Sequence, residues 1–218
     1  IVVSVLAVDI GVSSVGMTSI ETIKIRSIDS DGTVGTDAAT FNAGLATGIT
    51  SVSSDRSTSN LTVTGLAAGA SVGMIGNGSL TNGILSYAYN TAASAQIINI
   101  DGGTIDSGNN NITATASTGV TTATINSTGA SNKIDTIKLD SAGANTVTSL
   151  TVNATSALAA TLTASDFATT AIITVTGAGA VDLGTNANVK IVDATTHTGG
   201  LTVASGTNTT SLTGGTGN

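Results

Sequence analysis

Residues 172–218 repeat one short sequence pattern, and this repetition constrains the fold more than any other feature of the chain. Each copy places apolar residues at alternate positions and then turns at Gly, Asn, Ser or Thr. Such alternation is the period of a β-strand, because successive side chains leave a strand on opposite faces. The copies span residues 172–177, 180–184, 188–194, 200–205 and 210–215.

The copies recur about every 8 to 13 residues, and no stretch between them is long enough for a helix that crosses over a sheet. This spacing is typical of a chain that winds and stacks on itself. We therefore predict an all-β fold, a parallel β-solenoid with two or three strands in each coil of roughly 20 to 35 residues. Val, Ile and Leu would point inward and Thr outward. The absence of Pro suits strands whose N–H groups are needed for pairing.

The composition favours a narrow interior. Aromatic residues make up 2% and charged residues 9% of the 218 residues, and most of the others are small. Small side chains cannot fill a broad core at normal density, but they can fill a solenoid two or three side chains across. A mean hydropathy of +0.37 argues against a disordered chain.

The repetition is clearest in residues 96–218, where further strands are predicted at 96–100, 111–116, 122–126, 135–140, 149–154 and 160–164. Residues 1–95 are less regular, with strands expected at 2–8, 22–28, 45–52, 60–66 and 83–89 and a glycine-rich turn at 65–78. They fit either early coils of the same solenoid, which we favour, or a small β-sandwich. The sequence begins without Met and ends within a copy of the pattern, so we expect a fragment of a longer chain.

The charge limits the partners. The net charge is −7 with only six Lys and Arg, which argues against nucleic-acid binding and favours cations. No Cys occurs, so disulfides and thiolate metal sites are excluded. The apolar residues 1–10 fall short of the ~20 that a membrane span needs, and we expect a Val-rich strand there.

Three strands are predicted to end in Asp followed by a small or turn-forming residue, at Asp101, Asp140 and Asp193. Carboxylates repeated at strand ends can combine with turn carbonyls into an oxygen cage for Ca²⁺. The alternative is an Asx-turn, in which the side chain caps its own backbone. Asp29, Asp31 and Asp37 resemble the start of an acidic calcium loop, but the bidentate Glu that completes such a loop is missing, which favours an ordinary turn.

The last residues carry a glycine pattern. Gly214, Gly215 and Gly217 fall on the three glycines of the nonapeptide G-G-x-G-x-D-x-U-x, and Asn218 precedes the place of its Asp. Together with residues 192–196 and 198–203, this run is similar to the approach to the repeats of RTX-type surface-layer proteins of Gram-negative bacteria. The resemblance implies a right-handed β-solenoid, calcium-dependent assembly on the cell surface and type I export. Under it, these three glycines join the candidate calcium-binding residues.

Other functions find less support in the residues. His197 is the only histidine, and no Cys is present to serve as a nucleophile, so we expect no enzyme and assign His197 to a turn. Tyr87 and Tyr89 would share one strand face, which favours an interface or a sheet edge. Alternate Thr residues resemble an ice-binding face, but Asn153, Lys190 and Asp193 interrupt it.

The sequence therefore predicts a structural extracellular protein that assembles with its own copies into a surface layer or filament. Calcium between acidic turns would reduce the repulsion from the negative charge. The alternative is the stalk of a surface adhesin; a β-helical polysaccharide enzyme is a weaker hypothesis. Cell-surface glycan is a further expected partner, and no membrane-spanning segment is expected.

Overall fold

The computed structural model describes residues 2–7, 11–12, 17–30, 32, 37–78, 83–103, 110–115, 119–141 and 145–217. In these ranges the chain is all-β, with two short 3-10 turns at Ala43–Leu45 (η1) and Ala164–Asp166 (η2). All strand pairings between described residues are parallel. The predicted parallel β-solenoid is confirmed.

Within the described ranges, ten strands form one sheet, which we call the large sheet. In order they are β1 (Val2–Ala7), β4 (Thr22–Asp29), β7 (Ser51–Asp55), β9 (Ser71–Ile75), β11 (Ala95–Asp101), β13 (Thr122–Thr128), β15 (Val147–Ala154), β17 (Phe167–Gly177), β19 (Ile191–Asp193) and β21 (Ser211–Thr213).

The strands between them form a second sheet of nine described strands, which we call the small sheet. In order they are β2 (Gly11–Val12), β5 (Ala38–Asn42), β8 (Asn60–Leu66), β10 (Leu85–Tyr89), β12 (Asn111–Ala114), β14 (Asn132–Lys138), β16 (Leu158–Leu162), β18 (Val181–Asn186) and β20 (Leu201–Ser205). Two further strands, β3 (Met17–Thr18) and β6 (Ala46–Thr47), pair with each other alone.

Each coil thus places one strand in each main sheet. The sequence separation between partners in adjacent coils runs from 19 residues, between Ile172 and Ile191, to 29, between Thr22 and Ser51. Strands on both sides of residue 95 lie in the same two sheets. The division of the chain at residue 95 and the right-handed winding stay predictions.

The core lies between the two sheets and is narrow. The inward residues of the large sheet stack in register, and so do those of the small sheet, because strand side chains alternate between faces. All members of both stacks are buried: Ile23, Val52, Val72, Ile98, Ile125, Val152 and Val175 in the large sheet, and Ala39, Leu61, Leu85, Ile112, Ile137 and Leu162 in the small sheet.

The prediction of a glycine-rich turn across residues 65–78 is wrong, because β9 crosses this segment. Gly73 lies in β9, and a Cβ there would come within 2.7 Å of the Asn99 backbone oxygen and 2.9 Å of Ser53 Oγ. The glycine therefore serves close packing between coils and not a turn. A single strand was predicted at 45–52, but the chain forms two, β6 and β7. The turn between them contains Gly48, whose φ is +89°.

Candidate functional site

The three strand-end aspartates occupy three different environments. Asp101 is the last residue of β11, and its Oδ1 accepts a hydrogen bond of 2.8 Å from Thr128 Oγ1 in the next coil. This contact uses one carboxylate oxygen to join two coils. It is a structural role for a residue that the sequence presents as a calcium ligand.

Asp193 closes β19 and caps the turn after it. Its Oδ1 accepts a hydrogen bond of 3.0 Å from the Thr195 backbone N–H. The bonds from the Thr195 backbone and side chain lower the pKa of Asp193 below its ordinary value. This geometry is the Asx-turn that the sequence allowed as the alternative to a calcium ligand.

Asp140 lies two residues beyond the end of β14 and is fully buried. Its Oδ2 accepts a hydrogen bond of 2.8 Å from Thr146 Oγ1. Asp166, at the end of η2 in the next coil, is also fully buried, and its Oδ2 accepts a bond of 2.6 Å from the Leu139 backbone N–H. Asp140 therefore has a second buried carboxyl group as its neighbour.

The structure does not bring Asp101, Asp140 and Asp193 together. Asp193 pairs with Thr174, whose register continues to Thr151 and Thr124. Asp101 instead pairs with Thr128, which lies four residues after Thr124 in β13. Asp140 lies outside both sheets. Among the described residues there is no group of three or more His, Cys, Asp or Glu side chains that could hold a metal ion.

The glycines of the terminal pattern follow β21 and pack against the turn of the preceding coil. A Cβ on Gly215 would overlap the carbonyl of His197, and one on Gly217 would overlap the carbonyl of Gly199. Gly214 has open space around it. Asn218 lies outside the described residues. Close stacking thus explains two of the three glycines without calcium.

A row of hydrogen-bonded amides crosses the outer face of the large sheet, and we call it the asparagine ladder. Asn126 Nδ2 donates to Asn99 Oδ1 at 2.8 Å, and Asn153 Nδ2 donates to Asn126 Oδ1 at 2.9 Å. Thr176 Oγ1 then donates to Asn153 Oδ1 at 2.8 Å. This ladder was not predicted from the sequence, although the 27-residue spacing of the three Asn residues was a usable signal.

Beside the ladder, Thr124, Thr151 and Thr174 share one register, which we call the threonine column. The column continues into Asp193 and then Thr213. In the neighbouring outward row, Thr122 aligns with Ser149, and the row then continues through Ile172 and Ile191. An ice-binding face would need neighbouring threonine columns, and this register does not supply a second one.

The prediction that Tyr87 and Tyr89 mark an interface or an edge is wrong. Both rings are buried in the core, with centroids 5.9 Å apart at an interplanar angle of 90°. Tyr87 Oη donates to Gln96 Oε1 at 2.7 Å, and Tyr89 Oη donates to the Ala70 carbonyl at 2.9 Å. Burial raises the pKa of Tyr89 to about 12. These bonds satisfy the hydroxyl groups and let the largest side chains of their strand point inward.

The acidic segment before β5 forms a local turn. Asp37 Oδ2 accepts bonds from Ser30 N at 2.8 Å and Ser30 Oγ at 2.6 Å, and these bonds lower the pKa of Asp37. Gly32 N donates to Asp29 Oδ1 at 3.2 Å. Asp31 lies outside the described residues. His197 is buried in the turn after β19, with Nε2 3.3 Å from the Gly200 carbonyl oxygen.

These observations define a class of fold, the two-sheet parallel β-solenoid, whose outer surface is lined with hydroxyl and amide groups. The comparisons with known proteins add no family to this description: no protein family, curated protein or solved structure matches the chain. In the described part of the chain, no helix has the length and apolar character to cross a membrane.

Proposed function

We propose that this protein is a structural component of an extracellular surface layer or filament, built by assembly of its own copies. The observation that carries the proposal is the continuity of the two parallel sheets from β1 to β21. Parallel strands stacked in this way make one stiff unit, in which each coil contacts only its neighbours.

The outer faces offer contacts between copies. The asparagine ladder and the threonine column present polar groups at regular intervals, at about 4.8 Å from strand to strand. The net charge of −7 opposes close approach of copies. Calcium at the surface would reduce this repulsion, and cell-surface glycan is a further partner that such a polar face can accept. Export to the cell surface belongs to the same proposal.

Electron microscopy of the purified protein, with millimolar Ca²⁺ and after chelation, tests the proposal. Ordered sheets or filaments are expected with calcium. Order that survives chelation would retain the structural role and remove calcium from it. Dispersed monomers under both conditions would contradict self-assembly and favour the adhesin stalk, since a stalk needs no contact between copies.

A further inference from the structure

Asp140 and Asp166 form a pair of buried carboxyl groups in adjacent coils. Both side chains have no exposed surface. The Leu139 N–H, one residue before Asp140, donates to Asp166 Oδ2 at 2.6 Å, which fixes the second carboxyl group beside the first. Buried charges are costly unless they are paired or bind a metal, so this arrangement requires an explanation.

One oxygen of the pair has no hydrogen-bond partner among the described residues. Asp166 Oδ1 is buried and accepts no hydrogen bond from the described residues. The neighbouring oxygens have other functions: Asp166 Oδ2 accepts from Leu139, and Asp140 Oδ2 accepts from Thr146 Oγ1 at 2.8 Å. An oriented carboxylate oxygen with free lone pairs, next to a second carboxylate, is the donor set that a hard cation takes.

The electrostatics agree with this geometry. The pKa of Asp166 is raised to about 6, chiefly by burial and in smaller part by the charge of Asp140. The backbone amides of Leu139 and Asp140 and the charge of Lys138 act in the opposite direction.

We propose that Asp140 and Asp166 bind one Ca²⁺ ion between adjacent coils, with Asp166 Oδ1 as a direct ligand. Ca²⁺ takes six to eight oxygen ligands in flexible geometry and accepts backbone carbonyls and water beside carboxylates. Mg²⁺ is a poorer fit, because it demands near-ideal octahedral geometry and dehydrates reluctantly. Among the described residues, only Asp140 of the three strand-end aspartates has a buried carboxyl group as its neighbour.

The site would act as an internal clamp. The two carboxylates belong to different coils, so the ion would join the segment after β14 to η2 after β16. The inference deepens the calcium part of the proposed function and rests on it for the choice of cation. It does not require assembly, because both ligands lie in one chain.

Thermal unfolding tests the site, with Ca²⁺, with Mg²⁺ and after chelation, in dilute samples that light scattering shows to be monomeric. For dissociation constants of about 0.1 to 1 mM, ~10 mM Ca²⁺ is expected to raise Tm by about 3 to 10 °C. Asp166→Asn and Asp140→Asn should each abolish most of this rise. Asp182→Asn is the control, because it removes the same charge from an exposed residue of β18.

Asp166→Asn also removes a buried charge and should fold, so the comparison does not depend on an unfolded variant. An equal calcium-dependent rise in all three variants and the unchanged protein would overturn the site and place calcium elsewhere. No rise in the unchanged protein would also overturn it. Either result would leave self-assembly to be decided by microscopy alone.

Discussion

The side-chain amide of Asn126 donates to the Oδ1 of Asn99 at 2.8 Å, across two adjacent strands of the large sheet. Its own Oδ1 accepts from Asn153 at 2.9 Å, so Asn126 uses both ends of its amide along the axis of stacking. Parallel, in-register pairing makes this arrangement available, because identical side chains then lie directly above one another. The ladder adds side-chain hydrogen bonds to the backbone bonds between coils.

Replacing the middle residue of the ladder should lower the free energy of unfolding. Asn126→Ala removes one donated and one accepted hydrogen bond, and we expect a loss of about 1 to 2 kcal/mol. Asn126→Thr should lose less, because Thr176 shows that a hydroxyl at this register can donate to the preceding Asn. Chemical denaturation measures both. The control is Asn90→Ala in an exposed turn, and a loss no larger than that of the control would contradict a stabilising ladder.

Tyr87 and Gln96 should stabilise the fold as a coupled pair, so that the losses in the free energy of unfolding on replacing each of them are not additive. Tyr87→Phe leaves the Oε1 of Gln96 without its donor, and Gln96 is buried with an Nε2 that already lacks a partner. We expect a loss of about 1 to 3 kcal/mol. Adding Gln96→Leu should recover part of it, because no polar group is then left unpaired. Denaturation of the single and double variants measures the coupling, and additive losses would contradict it.

The two tyrosines should resist ionisation until the fold is lost. Burial raises the pKa of Tyr89 to about 12 and that of Tyr87 well above its ordinary value. A folded-state pKa above the unfolded value means that the stabilisation is complete below about pH 10 and is lost as the pH rises toward 12. Phenolate absorbance should therefore appear together with the loss of β-sheet circular dichroism. Because the chain has only two Tyr and no Trp, the signal is unambiguous, and full ionisation near pH 10 in the folded protein would contradict the burial.

Two adjacent glycines of the terminal pattern should respond differently to the same change. A Cβ on Gly215 would overlap the His197 carbonyl, whereas one on Gly214 meets nothing within 4 Å. Gly215→Ala should therefore displace the last coil and cost about 1 to 3 kcal/mol, while Gly214→Ala should be nearly neutral. Hydrogen exchange of the amides in β19 and β21 measures the effect locally. Equal disruption by both substitutions would indicate a requirement other than close stacking.

Much of the fold could be predicted from the alternation of residues. The windows predicted at 60–66, 96–100, 122–126 and 149–154 lie within or coincide with β8, β11, β13 and β15. One failure has a clear cause. β9 was missed because Gly73 marks a close approach of the Asn99 backbone, and a sequence does not distinguish such a glycine from one in a turn.

The candidate site was predictable only in part. Asp140 could be found because it follows an alternating strand, but Asp166 lies in a short 3-10 turn with no such pattern. Its position beside Leu139 is set by the pairing of β14 with β16, in which Ile137 aligns with Leu162. Asp101 and Asp193 share the same strand-end pattern, yet hydrogen bonds with Thr128 and Thr195 occupy them.

The sequence by itself determined the strand period, the narrow aliphatic core and the parallel stacking, because these depend on local alternation and on the repeat length. Only the tertiary structure decided which polar residues meet. The coils vary in length from 19 to 29 residues, so the alignment of polar residues changes irregularly from one coil to the next. Whether two carboxyl groups, two amides or a glycine and a carbonyl face each other is therefore set by the sum of these shifts and not by any local pattern.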